Sequence, residues 1–256
     1  MSDIFHGLRQ AVFLVGGRGT RLGSLTDAVP KPLLPVAGRP FLDYLMEVAV
    51  GYGVDDIILS CGYLADILEQ RYRDGGPGGC RVRCVVEPEP AGTGGALHYA
   101  RGLLEDRFFM VNGDSFFELD WRSLADEAGR GRALGTLALR RTAPGRRYGT
   151  VGLDGQSITG FFSPGEDRSG PVNGGLYVLR REIVGMTEAL PCSIESDVFP
   201  GLAKAGRLKG VLFDGYFIDI GIPDDYQRAQ HELPDAVARS RASAAVSAHR
   251  HSGVSS

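Results

Sequence analysis

Along the first half of the chain, short apolar runs alternate with amphipathic stretches. Residues 11–15, 57–61, 82–86 and 108–112 predict buried strands, and residues 41–52, 64–73 and 93–104 predict the helices between them. Strand and helix in turn argue a mostly parallel, Rossmann-like α/β sheet flanked by helices. Ligands bind such sheets beyond the carboxyl ends of the strands. After Trp121 the pattern changes. Strand-like pieces at 136–139, 150–153, 158–162, 176–179 and 210–213 are separated by Gly and Pro, and are expected to add a small antiparallel portion. From Pro234 onward Ala, Ser, Arg and His leave little to bury. The expected organisation is one domain over residues 1–233 and a disordered tail over 234–256.

Composition narrows the partners more than the fold. With 256 residues and 43% hydrophobic content, the chain is long enough for a sizeable core. A net charge of −3 supplies no basic field for nucleic acid. No run approaches the roughly 20 apolar residues of a membrane span. The four cysteines, Cys61, Cys80, Cys84 and Cys192, follow no zinc or thioredoxin spacing and read as reduced thiols of a cytoplasmic protein. Oligomeric state leaves no mark in the pattern.

The candidate chemistry begins where the first strand ends. Gly16, Gly17 and Gly19 make a bend that lets a ligand approach the main chain closely, and backbone N–H groups there can face phosphate oxygens. Thr20 lies in the same loop, and Arg21 and Lys31 add full positive charge. Neither the P-loop pattern nor the dinucleotide fingerprint fits, because no glycine–lysine pair follows and Leu22 stands where a third glycine belongs. Two acids sit in apolar surroundings, Asp114 after Phe108-Phe109-Met110-Val111 and Asp219 within Tyr216-Phe217-Ile218-Asp219-Ile220. Both are candidate ligands for Mg2+, which takes hard oxygens.

Gly16-Gly17-Arg18-Gly19-Thr20-Arg21-Leu22 together with Pro30-Lys31-Pro32-Leu33-Leu34-Pro35-Val36 resembles the N-terminal motif of sugar-1-phosphate nucleotidylyltransferases. Within that family Gly92-Thr93-Gly94-Gly95-Ala96, Asn112-Gly113-Asp114, Val172-Asn173-Gly174-Gly175-Leu176-Tyr177 and Tyr216-Phe217-Ile218-Asp219-Ile220-Gly221 are similar to the heptose-1-phosphate guanylyltransferase subgroup. The resemblance implies GTP and a sugar 1-phosphate as substrates, catalysis by Arg21, Lys31 and Asp114, and metal binding by Asp114 and Asp219. It also implies a base-reading Glu87 braced by Gly92 and Thr93, and a sugar side of Tyr148, Gly149, Asn173, Gly174 and Glu195. A carboxylate only accepts, which complements the adjacent N1–H and N2–H donors of guanine. The chain departs from its relatives at Phe161-Phe162-Ser163-Pro164, where many carry a Glu-Lys pair whose lysine grips the sugar phosphate; Arg168, Arg146 or Arg147 is the expected substitute. A nucleotide-sugar glycosyltransferase and a catalytically silent relative are the competing readings, and pyrophosphate release separates both from the first.

Overall fold

The computed structural model describes residues 8–141, 149–164 and 170–252. Strand β1 (Gln10–Leu14) leads through 3-10 turns at Thr20–Thr26 and Lys31–Leu33 and a small hairpin, β2 (Pro35–Val36) with β3 (Arg39–Pro40), into α1 (Phe41–Gly51). The units β4 (Asp56–Cys61), α2 (Ala65–Arg71), β5 (Arg81–Val86), α3 (Gly92–Ala100) and β6 (Arg107–Asn112) complete the first half. The second half holds β7 (Ser115–Phe117), α4 (Trp121–Gly129), β8 (Gly135–Arg140), β9 (Thr150–Asp154), β10 (Ser157–Phe162) and β11 (Val172–Arg180). It closes with α5 (Phe199–Lys204), β12 (Leu208–Phe213), β13 (Phe217–Asp219) and α6 (Pro223–Ser252).

One nine-stranded mixed sheet runs β5-β4-β1-β6-β11-β8-β12-β10-β9. Its first four strands are parallel, and the consecutive ones, β1 to β4, β4 to β5 and β5 to β6, are each joined by a crossover through a helix. From β11 onward antiparallel pairs dominate, so the antiparallel strands extend the same sheet instead of forming a separate piece. The central parallel strands β1, β4 and β6 are apolar and buried along most of their length because both faces are covered, whereas the edge strand β5 carries Arg81 and Arg83. Alternation sends Phe13, Leu59 and Val111 into the core under α1 and α4, and Val12, Ile58 and Met110 into the core under α3 and α5. The chain crosses from one side of β1 to the other between β5 and β6. The crevice between the ends of β1 and β6 is therefore the switch point where such sheets bind ligands, and the glycine loop and Asp114 follow those two strands.

Strands β7 and β13 pair antiparallel, with Asp219 opposite Ser115 and Phe217 opposite Phe117. Phe117 packs edge-on against Phe217, and this apolar backing makes a three-residue ladder tenable. Among the described residues no helix is long and apolar enough to cross a membrane.

Over residues 234–252 the expected disordered tail is corrected by the structure: the chain continues from Pro223 to Ser252 as one helix. Its buried stripe is Leu233, Ala236, Val237, Ser240 and Ala244, spaced three, four, seven and eleven positions on from Leu233, and it lies against α1. Small residues bury little each but let the helices approach closely, as where Ala244 meets Gly51. Arg122 Nη1 donates to the Ala244 carbonyl at 2.8 Å, and Arg241 and Arg239 pair with Glu47 and Glu118 at 2.5 and 2.8 Å. Deleting residues 234–256 is therefore expected to cost on the order of 3 kcal/mol, mostly from re-exposing Val237 and its neighbours. Urea denaturation of the truncated chain checks this, and an unchanged midpoint would overturn it.

Candidate active site

The glycine bend is held against the neighbouring strand end by its backbone. Val15 N–H donates to the Ser60 carbonyl at 3.0 Å, and Tyr63 N–H donates to Gly16 O at 3.2 Å. A Cβ on Gly62 would stand 2.8 Å from Gly16 O, so two glycines allow the main chains to touch. Gly19 takes φ +65°, and its Cα faces the Lys31 stem, which a Cβ would meet at 3.1 Å. The loop and the lysine are thus one packed unit. Arg18 lies 4.9 Å over the Tyr63 ring. Thr20 and Arg21 are exposed on the 3-10 turn that follows, outside the cavity wall.

Lys31 is only 6% exposed. Its Nζ donates to Asp114 Oδ2 at 2.5 Å and lies 3.9 Å from Asp219 Oδ1. The β7–β13 ladder makes this meeting possible, and Ile220 N–H donates to the Asp114 carbonyl at 3.0 Å. Gly221 N–H holds Asp219 Oδ1 at 2.7 Å, and a Cβ on Gly221 would stand 2.7 Å from that oxygen and 3.2 Å from Lys31 Nζ. One cation between two carboxylates leaves a net negative centre. Among the described residues no three His, Cys, Asp or Glu side chains group closely enough to hold a metal unaided. Two carboxylates are what Mg2+ commonly takes from protein, with phosphate and water completing its shell, so the donor set fits.

Beside this centre opens a cavity of about 380 Å³, walled by Gly16, Gly17, Lys31, Glu87, Gly92, Thr93, Asn112 and Asp114 among others. Glu87 is no free loop acid. Its Oε1 accepts from Ser60 Oγ at 2.8 Å and its Oε2 from Ala91 N–H at 3.2 Å. A carboxylate has about four acceptor sites, so two remain for a ligand. Gly92 opens α3 at φ +78°, tight against Cys192, whose carbonyl accepts from Gly94 N–H at 2.9 Å.

Beyond Thr93 a chain of hydrogen bonds ties separate elements together. Thr93 Oγ1 donates to Glu195 Oε2 at 2.5 Å and accepts from Ile194 N–H at 2.9 Å. The Tyr177 hydroxyl lies 3.5 Å from Glu195 Oε1 and accepts from Asn173 Nδ2 at 2.8 Å. Full burial, with the Glu195 charge nearby, pushes the Tyr177 hydroxyl well above its ordinary pKa, so it stays a donor at any physiological pH. Glu195 rides on a π-helical turn, Ile194–Val198, a geometry frequent at functional sites.

The structure thus brings together Gly16, Gly17, Lys31, Glu87, Gly92, Thr93, Asp114 and Asp219, ties Glu195 to them through Thr93, and joins Asn173 to Glu195 through Tyr177. Gly174 instead backs onto Phe117, with a would-be Cβ 2.4 Å from its ring, and Gly149 abuts Phe162 O. Tyr148, Arg146, Arg147 and Arg168 lie outside the described residues. Sequence reasoning did not single out Ser60, Asn112 or Tyr177 as site residues. The last two lay in quoted motifs, but strand periodicity makes Tyr177 look like plain core.

The switch-point cavity, glycine bend and acid pair are those of a nucleotide-handling α/β transferase. The chain belongs to the nucleotidyl transferase family, whose model matches residues 10–236. It is 36% identical over 232 residues to D-glycero-alpha-D-manno-heptose 1-phosphate guanylyltransferase of Aneurinibacillus thermoaerophilus, covering 88% of this chain and 98% of that one. It is also 36% identical to mannose-1-phosphate guanylyltransferase of Mycobacterium tuberculosis, over 91% of this chain and 66% of that protein. Among solved structures, HddC from Yersinia pseudotuberculosis complexed with GMP-PN superposes with a TM-score of 0.78 at 33% identity, over 88% of this chain and 100% of that one.

Proposed function

We propose that the protein is a magnesium-dependent sugar-1-phosphate guanylyltransferase, with a heptose 1-phosphate as first candidate acceptor. The observation that carries the reading is the meeting of Lys31, Asp114 and Asp219 at a cavity whose wall also presents the Glu87 carboxylate. An oxygen of the sugar phosphate attacks the α-phosphorus of GTP, and pyrophosphate leaves with its charge increased. Two polyanions must meet, so positioning and charge neutralisation supply most of the rate. Backbone N–H groups of the Gly16–Gly19 bend face the triphosphate, Lys31 neutralises the reacting phosphate, and exposed Arg21 clamps the β- and γ-phosphates in bidentate fashion. Asp114 and Asp219 would hold Mg2+, which supplies further charge neutralisation when bound. Glu87 reads guanine, Gly92 and Thr93 brace it, and Asn173 and Glu195 orient sugar hydroxyls with Tyr148 and Gly149 beside them.

Pyrophosphate release, measured for four nucleoside triphosphates against a panel of sugar 1-phosphates, tests the proposal. GTP with a heptose 1-phosphate is expected to lead, with mannose 1-phosphate the natural comparison. Nucleotide-sugar binding without turnover at saturating Mg2+ would refute catalysis. Glu87→Gln keeps an acceptor for Ser60 but places an amide where two donors must be met. A lost hydrogen bond to a charged group is worth about 1.5–3 kcal/mol, so kcat/KM for GTP should fall roughly tenfold to a hundredfold, with ATP and UTP unaffected. A uniform loss across nucleotides would remove Glu87 from base recognition.

A further inference from the structure

At the opposite end of β6 and β11 the antiparallel register sets Arg180 directly across from Arg107. Residues so paired project to the same face with Cβ atoms about 5 Å apart, where like charges repel. The local carboxylates do not resolve this. Asp106 Oδ1 is engaged by Arg181 Nη2 at 2.8 Å, and Glu182 is exposed. Arg180 reaches the Gly131 carbonyl only at 3.4 Å, and its Nε is buried without a partner among the described residues. Arg107 has no ion pair with any described residue. All three arginines, with Asp106 and Glu182, line an open cleft of about 460 Å³. This cleft is separate from the nucleotide cavity. Asn112 marks that cavity at the other end of β6, about 17 Å away at 3.3 Å per residue.

Two opposed guanidiniums at the edge of a cleft, one of them short of acceptors, form an arrangement that an anion completes. Guanidinium donors match phosphate oxygens in paired geometry, and one phosphate bridging both side chains turns their repulsion into shared attraction. We propose that the Arg107–Arg180 cleft is a second binding site for the phosphate group of a small anion. The site stands apart from the reading of the nucleotide cavity and survives if that reading fails. Orthophosphate, pyrophosphate and a nucleoside diphosphate share the chemistry, and separate titrations distinguish them.

Isothermal titration of the full chain with each of the three anions, at fixed ionic strength, is the test. Wild type should bind the best of them at two classes of site. The double variant Arg107→Gln/Arg180→Gln should lose one class, with affinity weakened at least tenfold, while keeping GTP binding and basal turnover. Lys31→Met should instead weaken the other class. A second readout guards against misfolding: with no anion added and at low salt, Arg107→Gln alone should melt no lower than wild type, because it relieves repulsion. Added phosphate should raise the wild-type midpoint more than that of the variant. Equal stoichiometry in wild type and double variant, or an anion response that disappears only with Lys31→Met, overturns the proposal.

Discussion

Replacing Lys31 with Met is expected to lower kcat/KM by about 10²–10³-fold, the usual effect of removing one positioned charge from a centre where charge develops. The methionine keeps the stem that packs on Gly19 but loses the ammonium between Asp114 and Asp219. The loss should fall on kcat as well as KM, because the charge is needed most as pyrophosphate leaves. Folding stability should suffer less than for a dry ion pair, since the Asp114 side chain is 37% exposed and water screens what remains. Steady-state kinetics with thermal unfolding of the same variant checks both parts. A fall in stability with unchanged kcat would make Lys31 a structural pin.

Gly92→Ala is expected to damage the fold and the cavity beside Lys31 together. Position 92 has φ +78°, and an Ala Cβ would stand 2.4 Å from the Cys192 carbonyl oxygen. The left-handed conformation alone costs an L residue about 1–2 kcal/mol, and displacing Cys192 disturbs the carbonyl that Gly94 and Gly95 N–H groups share. The combined cost should be about 3 kcal/mol by urea denaturation, with a raised KM for GTP because the start of α3 shifts. Gly102→Ala is the control, since nothing lies within 4 Å of its would-be Cβ and its φ is ordinary. It should stay within about 0.5 kcal/mol of wild type. Equal effects at the two positions would sink the argument.

The parallel half of the sheet was legible because doubly covered strands are runs of Val, Ile, Leu and Phe, and helices between them carry a 3.6-residue rhythm. Predicted strand 57–61 and helix 41–52 match β4 and α1 to within a residue. The ladder of β7 and β13 escaped because three residues carry no periodicity. Helix α6 escaped for another reason: beyond Pro234 its buried stripe offers only Val237 among the small residues Ala236, Ser240 and Ala244, too little bulk to stand out from the exposed Ala, Ser and Arg between them. In the site, glycine bends and isolated cations announce themselves. Tyr177 does not, because its apolar ring belongs to a strand and only its hydroxyl, seen in three dimensions, joins Asn173 to Glu195.

The small ladder between β7 and β13 also sets when the protein can first work. Asp114 comes early in the chain and Asp219 late, and only the docking of Phe217–Asp219 on Ser115–Phe117 makes them neighbours. A nascent chain that has emerged only as far as β12 can own its glycine bend and still lack half of its acid pair. During synthesis, turnover by the proposed mechanism therefore cannot begin until β13 has emerged and paired with β7.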